Sequence, residues 1–251
     1  EFSYQILQGL DFLELYKRFG CVLETGGSDQ WGNLTSGADL VHRVEGKSVH
    51  LIATPLITNA DGKKFGKSEG NAVWLDKTLT SAYAMYQFWL NTDDADVADR
   101  LKVFTFLTRN EVEDYEQQVS AEPHKRAAQR RLALEVTELV HSTKDALAAE
   151  AASQALFGQG ELAELDPETL RAALMELPNI NCEIGISVVT ALVESGLVES
   201  NGQARRAIAQ GSVAVNKNKV TDELALIDQY LPGKVAVLSR GKKSLAGLFF
   251  V

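Results

Sequence analysis

"CVLETGGSDQWGNLTSGADLVHRVEGKSVHLIAT", residues 21–54, decides how the first part of the chain folds. It opens on a short apolar run, CVLET, that ends in Gly26-Gly27 as a buried strand would. QWGNLTSGADLVHRV then has apolar residues at helical spacing, and SVHLIAT reads as a second strand stopped by Pro55. Strand, helix and strand in this space form a βαβ unit, whose strands are expected to be parallel. Just upstream, EFSYQILQGLDFLELYKRF carries helical periodicity and stops at Gly20. Two strands do not make a stable open sheet. The chain is therefore expected to begin in the middle of a domain.

Length and composition bound the rest. The chain has 251 residues, room for two or three compact units. A hydrophobic content of 45% with 24% charged residues fits a globular chain and argues against disorder. No apolar run approaches a membrane span, and EFSYQILQGL lacks the basic region and cleavage site of a signal peptide. Cys21 and Cys182 make neither a disulfide framework nor a zinc site, so a cytoplasmic location is expected. A net charge of −9 argues against a general nucleic-acid binder. Yet residues 184–251 carry +3 while the rest carries −12, and a basic module on an acidic body suits a polyanionic partner.

Further along, residues 56–82 read as loop and residues 83–157 as helices. Thr108 with Glu111 is a capping box, and Pro123 is expected to start one long helix that continues to Phe157. Residues 158–183 read as a connector with one short helix, capped by Asp166 and begun by Pro167. After it, ISVVTALVESG and GQARRAIAQ are helices, the second opened by a Ser200–Gln203 capping box. SVAVN, a turn at NKN and the closing run KVAVLSRGKKSLAGLFFV supply strands, giving a compact α+β module.

Three stretches could carry chemistry. ADGKKFGKSEG, residues 60–70, contains Gly66-Lys67-Ser68, but a phosphate-binding P-loop needs a glycine where Asp61 stands and a helix after the serine. A P-loop is therefore excluded, and a solvated basic loop is the plain alternative. GGSDQWGN, residues 26–33, lies at the carboxyl end of the first strand, where ligands of open parallel sheets bind. Its glycines bare the backbone, and Asp29 is either a partner for sugar hydroxyls or simply a helix cap. Tyr4, Gln8 and Asp11 share one face of the first helix. They form either a polar recognition stripe or a solvent face, although a plain solvent face would more usually carry Lys and Glu.

EFSYQILQGLDF, GGSDQWGN, PLITNADGKKFGKSEG, VWLD and YQFWLNTDDADV, in this order, closely resemble the second half of bacterial tyrosyl-tRNA synthetases. SGLVESNGQARRAIAQGSVAVN resembles the S-four-like RNA-binding module at the end of those enzymes. The resemblance implies an α/β, α and α+β succession. Residues 1–55 would be the closing part of a class I Rossmann-type catalytic domain, and 56–82 a KMSKS-type loop and linker. Residues 83–157 would be a helical anticodon-arm domain, 158–183 a linker, and 184–251 the S-four-like domain.

By the same resemblance, Lys64, Lys67 and Ser68 belong to the mobile signature loop that grips the pyrophosphate of ATP as tyrosine is adenylated. Charge stabilisation of that kind acts mainly in the transition state. Tyr4 and Gln8 would hold the amino group of tyrosine, and Asp11 its phenolic hydroxyl. Gly27 and Asp29 match ribose-binding positions, and Gln30 matches a contact near the reacting carboxylate. ATP is then a substrate, with Mg²⁺ accompanying it and no metal site on the protein. The partners implied are tRNA(Tyr), tyrosine and, in the intact enzyme, a second subunit, with no membrane.

Two departures stand out. Glu24 replaces the more usual Gln, and none of His42, His50, His124 and His141 sits in the His-x-Gly-His motif that the family carries on its first Rossmann half. This polypeptide alone is therefore expected not to adenylate tyrosine. Arg205, Arg206, Lys217 and Lys219 are the best candidates for RNA contacts. Lys125, Arg126, Arg130 and Arg131 are a second basic cluster, equally readable as ordinary helix surface. A non-catalytic RNA-binding relative and a synthetase for another aromatic amino acid, such as tryptophan, are the competing readings.

Overall fold

The computed structural model describes residues 2–58, 65, 73–158, 160–241 and 244–251. The chain divides into two compact units, residues 1–72 and 73–251.

The first unit is the βαβ arrangement with a helix in front. Helix α1 (Phe2–Phe19) leads to strand β1 (Leu23–Gly27). A 3₁₀ turn (Ser28–Gln30), helix α2 (Trp31–Glu45) and strand β2 (His50–Thr54) follow. The strands are parallel, with Leu23 opposite His50 and Gly27 opposite Thr54, as the helical crossover requires. Gly20 and Gly46 end the two helices in the left-handed region, at φ of 66° and 65°. Helices α1 and α2 approach closely because Gly9 faces Gly37. A Cβ on Gly9 would lie 3.4 Å from the Gly37 backbone. Phe12, Leu13, Leu34 and Val41 are buried between them.

One expectation is corrected here. Strand β1 is not buried: Leu23 is 44% exposed, and Ile52 on β2 is 50% exposed. The two strands pair only with each other among the described residues, so little but α1 and α2 covers them.

In the second unit, α3 (Ala82–Leu90), α4 (Val97–Phe104), α5 (Arg109–Ala121), α6 (Ala127–Val140) and α7 (Thr143–Phe157) form a helical body. Tyr83, Met85, Tyr86 and Trp89 of α3 are buried in it. The capping box at α5 forms in both directions, Thr108 accepting from the Glu111 N–H and Glu111 accepting from the Thr108 N–H. The long helix expected from Pro123 to Phe157 is instead a 3₁₀ turn (Pro123–Lys125) followed by two helices. Arg126 breaks it first, with φ at 48° and its guanidinium donating to the Leu90 and Thr92 carbonyls at 2.7 and 3.0 Å. Ser142 breaks it again by capping α7, accepting from the Asp145 N–H.

Helix α8 (Pro167–Met175) starts as its sequence predicts, Asp166 accepting from the Thr169 N–H. Residues 179–182, expected as connector, form strand β3 (Asn179–Cys182), which runs parallel to the last strand of the chain. Helices α9 (Val188–Glu194) and α10 (Asn201–Ala209) precede strands β4 (Val213–Val215) and β5 (Asn218–Lys219). Strands β6 (Val235–Arg240) and β7 (Ser244–Phe250) close the chain, and the sheet order is β3-β7-β6-β4-β5. Asn216 and Lys217, at φ of 47° and 67°, make the two-residue hairpin between β4 and β5. The Ser200–Gln203 box forms by half. Ser200 accepts from the Gln203 N–H, but the Gln203 side chain reaches the Glu199 N–H instead of its own cap residue. Among the described residues, no helix is long and apolar enough to cross a membrane.

Candidate active site

The site at the carboxyl end of β1 is assembled by two helices of the first unit. Helix α1 supplies Tyr4, Gln8 and Asp11 at one-turn spacing. Tyr4, 68% exposed, and Asp11, exposed as well, stand on the open side, whereas Gln8 is half-buried. Strand β1 supplies Glu24 and then Gly26 and Gly27, after which the 3₁₀ turn presents Asp29 and Gln30. The N-cap residues of the turn and of α2 are Gly27 and Gln30, with Asp29 in the first turn between them.

The two glycines stand where a side chain would be crowded. A Cβ on Gly26 would come 3.1 Å from Cβ of Gln30, and one on Gly27 would meet an Asp29 carboxylate oxygen at 2.8 Å. The backbone at the end of β1 is therefore bare, and Gln30 and Asp29 fold back against it.

A hydrogen-bond chain runs through the middle of the site. Gln8 Nε2 donates to Glu24 Oε1 at 3.4 Å. Asn33 Nδ2 donates to Gln8 Oε1 at 3.0 Å and to Gln30 Oε1 at 2.9 Å. Gln8 and Gln30, brought together on sequence grounds, are thus physically linked, and the link is Asn33, which the sequence reading quoted within GGSDQWGN but did not single out. Its position one helical turn after Gln30 was the available signal. The other Glu24 oxygen, Oε2, is buried with no hydrogen-bond partner among the described residues. Burial pushes the Glu24 carboxyl above its ordinary range, and the Gln8 hydrogen bond only partly opposes it.

Lys64, Lys67 and Ser68 lie outside the described residues. Among the described residues, no group of His, Cys, Asp and Glu could hold a metal ion.

The basic candidates divide by what they already touch. Arg205 faces Glu223 at 3.7 Å, with both side chains 58% exposed. Arg206 donates to the Gly202 carbonyl at 3.2 Å, Lys217 donates to the Gly160 carbonyl, and Lys219 is exposed on β5. In the second cluster, Lys125 pairs with Glu122 and Arg131 with Glu135, each at 2.7 Å, and Arg126 is committed to backbone carbonyls. That cluster is largely helix-surface pairing and helix-end satisfaction.

Two family models match the chain. The model for tRNA synthetases class I (W and Y) matches residues 1–158, and a tyrosine–tRNA ligase SYY-like C-terminal domain matches residues 169–246. The tyrosine–tRNA ligase of Leifsonia xyli subsp. xyli is 63% identical over 251 residues, 99% of this chain and 57% of the relative. That of Streptomyces avermitilis is 55% identical, covering 99% of this chain and 60% of the relative. The chain thus spans a little under two thirds of the length of these relatives. A crystal structure of a C-terminally truncated Aspergillus nidulans mitochondrial tyrosyl-tRNA synthetase superposes with a TM-score of 0.54 at 33% identity. It covers 62% of this chain and 45% of that one. The Rossmann-like parallel pair of the first unit, the helical body of the second and these matches agree, and the chain belongs to the class I tyrosyl-tRNA synthetase family.

Proposed function

We propose that this chain is the larger part of a tyrosine–tRNA ligase, and that the complete protein activates tyrosine with ATP and passes it to tRNA(Tyr). The observation that carries the reading is the side-chain chain Glu24–Gln8–Asn33–Gln30 beside the bared end of β1. It gathers acceptors and donors suited to an amino acid at the edge where parallel sheets bind ligands.

In this reading Tyr4 and Gln8 receive the amino group of tyrosine and Asp11 its hydroxyl. Once the amino acid covers the site, an Asp11 carboxylate left without that hydroxyl disfavours phenylalanine, a discrimination already established for this enzyme family. Gly27 and Asp29 take the ribose of ATP, the Asp29 carboxylate lying against the Gly27 backbone, which carries no side chain of its own. Gln30 orients the tyrosine carboxylate as it attacks the α-phosphorus and pyrophosphate leaves. Lys64, Lys67 and Ser68 neutralise the departing charge, and Mg²⁺ arrives on the phosphates of ATP. No covalent enzyme intermediate is needed, since positioning and charge neutralisation suffice.

The architecture proposed is the closing half of the catalytic domain in residues 1–55, the loop and linker in 56–82 and the anticodon-arm domain in 83–157. A linker in 158–183 and an S-four-like RNA-binding domain in 184–251 complete it. The basic α10 and the β4–β5 hairpin, with Arg205, Arg206, Lys217 and Lys219, support an RNA-facing surface on the last domain. The complete protein is proposed to be a cytoplasmic homodimer.

Tyrosine-dependent exchange of pyrophosphate into ATP is the test. The complete protein is expected to exchange with tyrosine and far less with phenylalanine or tryptophan, and this chain alone not at all. Equal exchange with tryptophan would overturn the tyrosine assignment. Exchange by the isolated chain would overturn the need for the remaining length of the relatives.

A further inference from the structure

The hydrogen-bond chain has a direction, and the chemistry of its ends fixes it. An ionised carboxylate only accepts hydrogen bonds, so the Gln8 atom facing Glu24 is the amide nitrogen. The Gln8 oxygen is then turned toward Asn33, which has to donate. Asn33 Nδ2 carries two hydrogens, and its second partner is the oxygen of Gln30. Gln30 must therefore turn its own NH₂ away from Asn33, and no hydrogen bond from that group is made within the described residues. At the other end, Glu24 Oε2 is a buried acceptor with no donor among the described residues. Among the described residues the chain thus leaves Gln30 with an uncommitted NH₂, the complement of a substrate carboxylate.

We propose that Glu24 and Asn33 are positioning residues that lock the two glutamine amides in one orientation, so that Gln30 presents a donor to the carboxylate of the amino-acid substrate. The inference rests on the ligase reading above. An amide free to flip would present its oxygen to the substrate carboxylate in a share of molecules, and small misplacements at a reacting group are costly. The carboxylate of Glu24 removes that freedom from a distance, through Gln8 and Asn33.

The arrangement makes a sign-reversing prediction. In Asn33→Asp an acceptor-only side chain faces two amide oxygens. Both amides flip, Gln30 offers an oxygen to the substrate carboxylate, and Gln8 turns its oxygen to Glu24. Glu24→Gln repairs the second fault, because the new amide can donate to the flipped Gln8. In the wild-type background the Glu24→Gln amide can still accept from Gln8, but because it can also donate it no longer fixes which way the Gln8 amide faces.

The test is a double-mutant cycle on the complete protein, reading kcat and KM for tyrosine in pyrophosphate exchange. Asn33→Asp is expected to lower kcat/KM by about tenfold to a hundredfold. Adding Glu24→Gln is expected to recover roughly threefold or more, whereas Glu24→Gln alone lowers kcat/KM by a similar factor. Additive losses, or an Asn33→Asp protein with wild-type kinetics, overturn the relay while leaving the ligase reading intact. A wild-type protein without tyrosine-dependent exchange overturns the ligase reading itself. If Asn33→Asp does not fold, Asn33→Leu is read in its place. A loss of about tenfold with an unchanged melting temperature supports the relay, and unchanged kcat/KM overturns it.

Discussion

Strand β6, near the end of the chain, has four consecutive buried residues, Val235 to Leu238. Strand β2, near its start, has none. Both are apolar runs of similar length, so the difference does not lie in the strands. It lies in their neighbours. Strand β6 sits between β7 and β4 with α9 and α10 over one face, and fifteen buried residues form the core there. Among the described residues strand β2 pairs with β1 alone, over a cluster of Phe12, Leu13 and Val41. A strand is buried by what packs on it, and the same hydrophobic pattern reads as core or as surface accordingly.

The comparison breaks most directly by cutting the molecule. A fragment of residues 160–251 is expected to unfold cooperatively on heating, followed by circular dichroism. A fragment of residues 1–72 is expected to show no cooperative transition, since so small a core does not offset the entropy of ordering the chain. A sharp melt from the shorter N-terminal fragment would show that its two-stranded sheet is self-sufficient.

Single side chains sharpen it next. Leu248→Ala, at a fully buried position of β7, is expected to cost about 2–5 kcal/mol of the second unit's stability in denaturant unfolding. Ile52→Ala, at a half-exposed position of β2, is expected to change this chain's stability by no more than about 0.5 kcal/mol. Equal costs would mean that β2 is covered after all.

What was legible in the sequence follows the same division. The βαβ unit, the capping residues Thr108, Asp166 and Ser200, and the final strands were readable because local chemistry specifies them. The exposure of β1 was not, because apolar CVLET carries no mark of how many strands lie beside it. The break at Arg126 was hidden since its cause is remote: the guanidinium satisfies carbonyls at the end of α3 and just beyond it, more than thirty residues earlier. The break at Ser142 was visible in principle, as Ser142 and Asp145 have capping spacing. Strand β3 depends on pairing with β7, which no local pattern announces. In the site, residue types pointed to Gln8 and Gln30, but the link through Asn33 needs the packing of α1 on α2 to exist at all.

Two glycines probe that packing against the C-terminal one. A Cβ on Gly247 would meet Leu174 at its Cβ and carbonyl oxygen, 2.9 and 3.0 Å away, so α8 itself would have to move. Gly247→Ala is expected to cost about 1–3 kcal/mol. A Cβ on Gly37 would come 3.1 Å from the Phe12 ring. Because Gly37 is inside α2, the roughly 1 kcal/mol that Ala gains over Gly in a helix offsets much of the crowding. Gly37→Ala is therefore expected to be the milder change by denaturant unfolding of the complete protein, and a reversed order would mean that α1 and α2 cannot separate slightly.

The smallest expected effect separates the two units by the sign of their response to acid. Glu24 in the first unit is held above its ordinary carboxyl range by burial. Its folded form binds a proton more readily than its unfolded form, so its contribution is greatest below the unfolded value and is lost as pH rises through the folded one. Asp145 in the second unit is held below its ordinary range, chiefly by the Lys77 ammonium 2.9 Å away, with burial opposing and the Ser142 hydroxyl assisting. Its contribution is present above the unfolded value and is lost as pH falls through the folded one. Lys77→Ala is expected to cost at most about 1 kcal/mol at neutral pH, because the Lys77 side chain is 61% exposed. That cost should vanish at the acid end, where Asp145 is protonated in either protein. Glu24→Gln should slow amide exchange in the first unit at neutral pH and change it less as Glu24 protonates. Hydrogen exchange of the complete protein across the acid range follows both units at once. Parallel responses would mean that the Glu24 carboxylate has found a partner, and that its orphaned oxygen is not a property of the folded site.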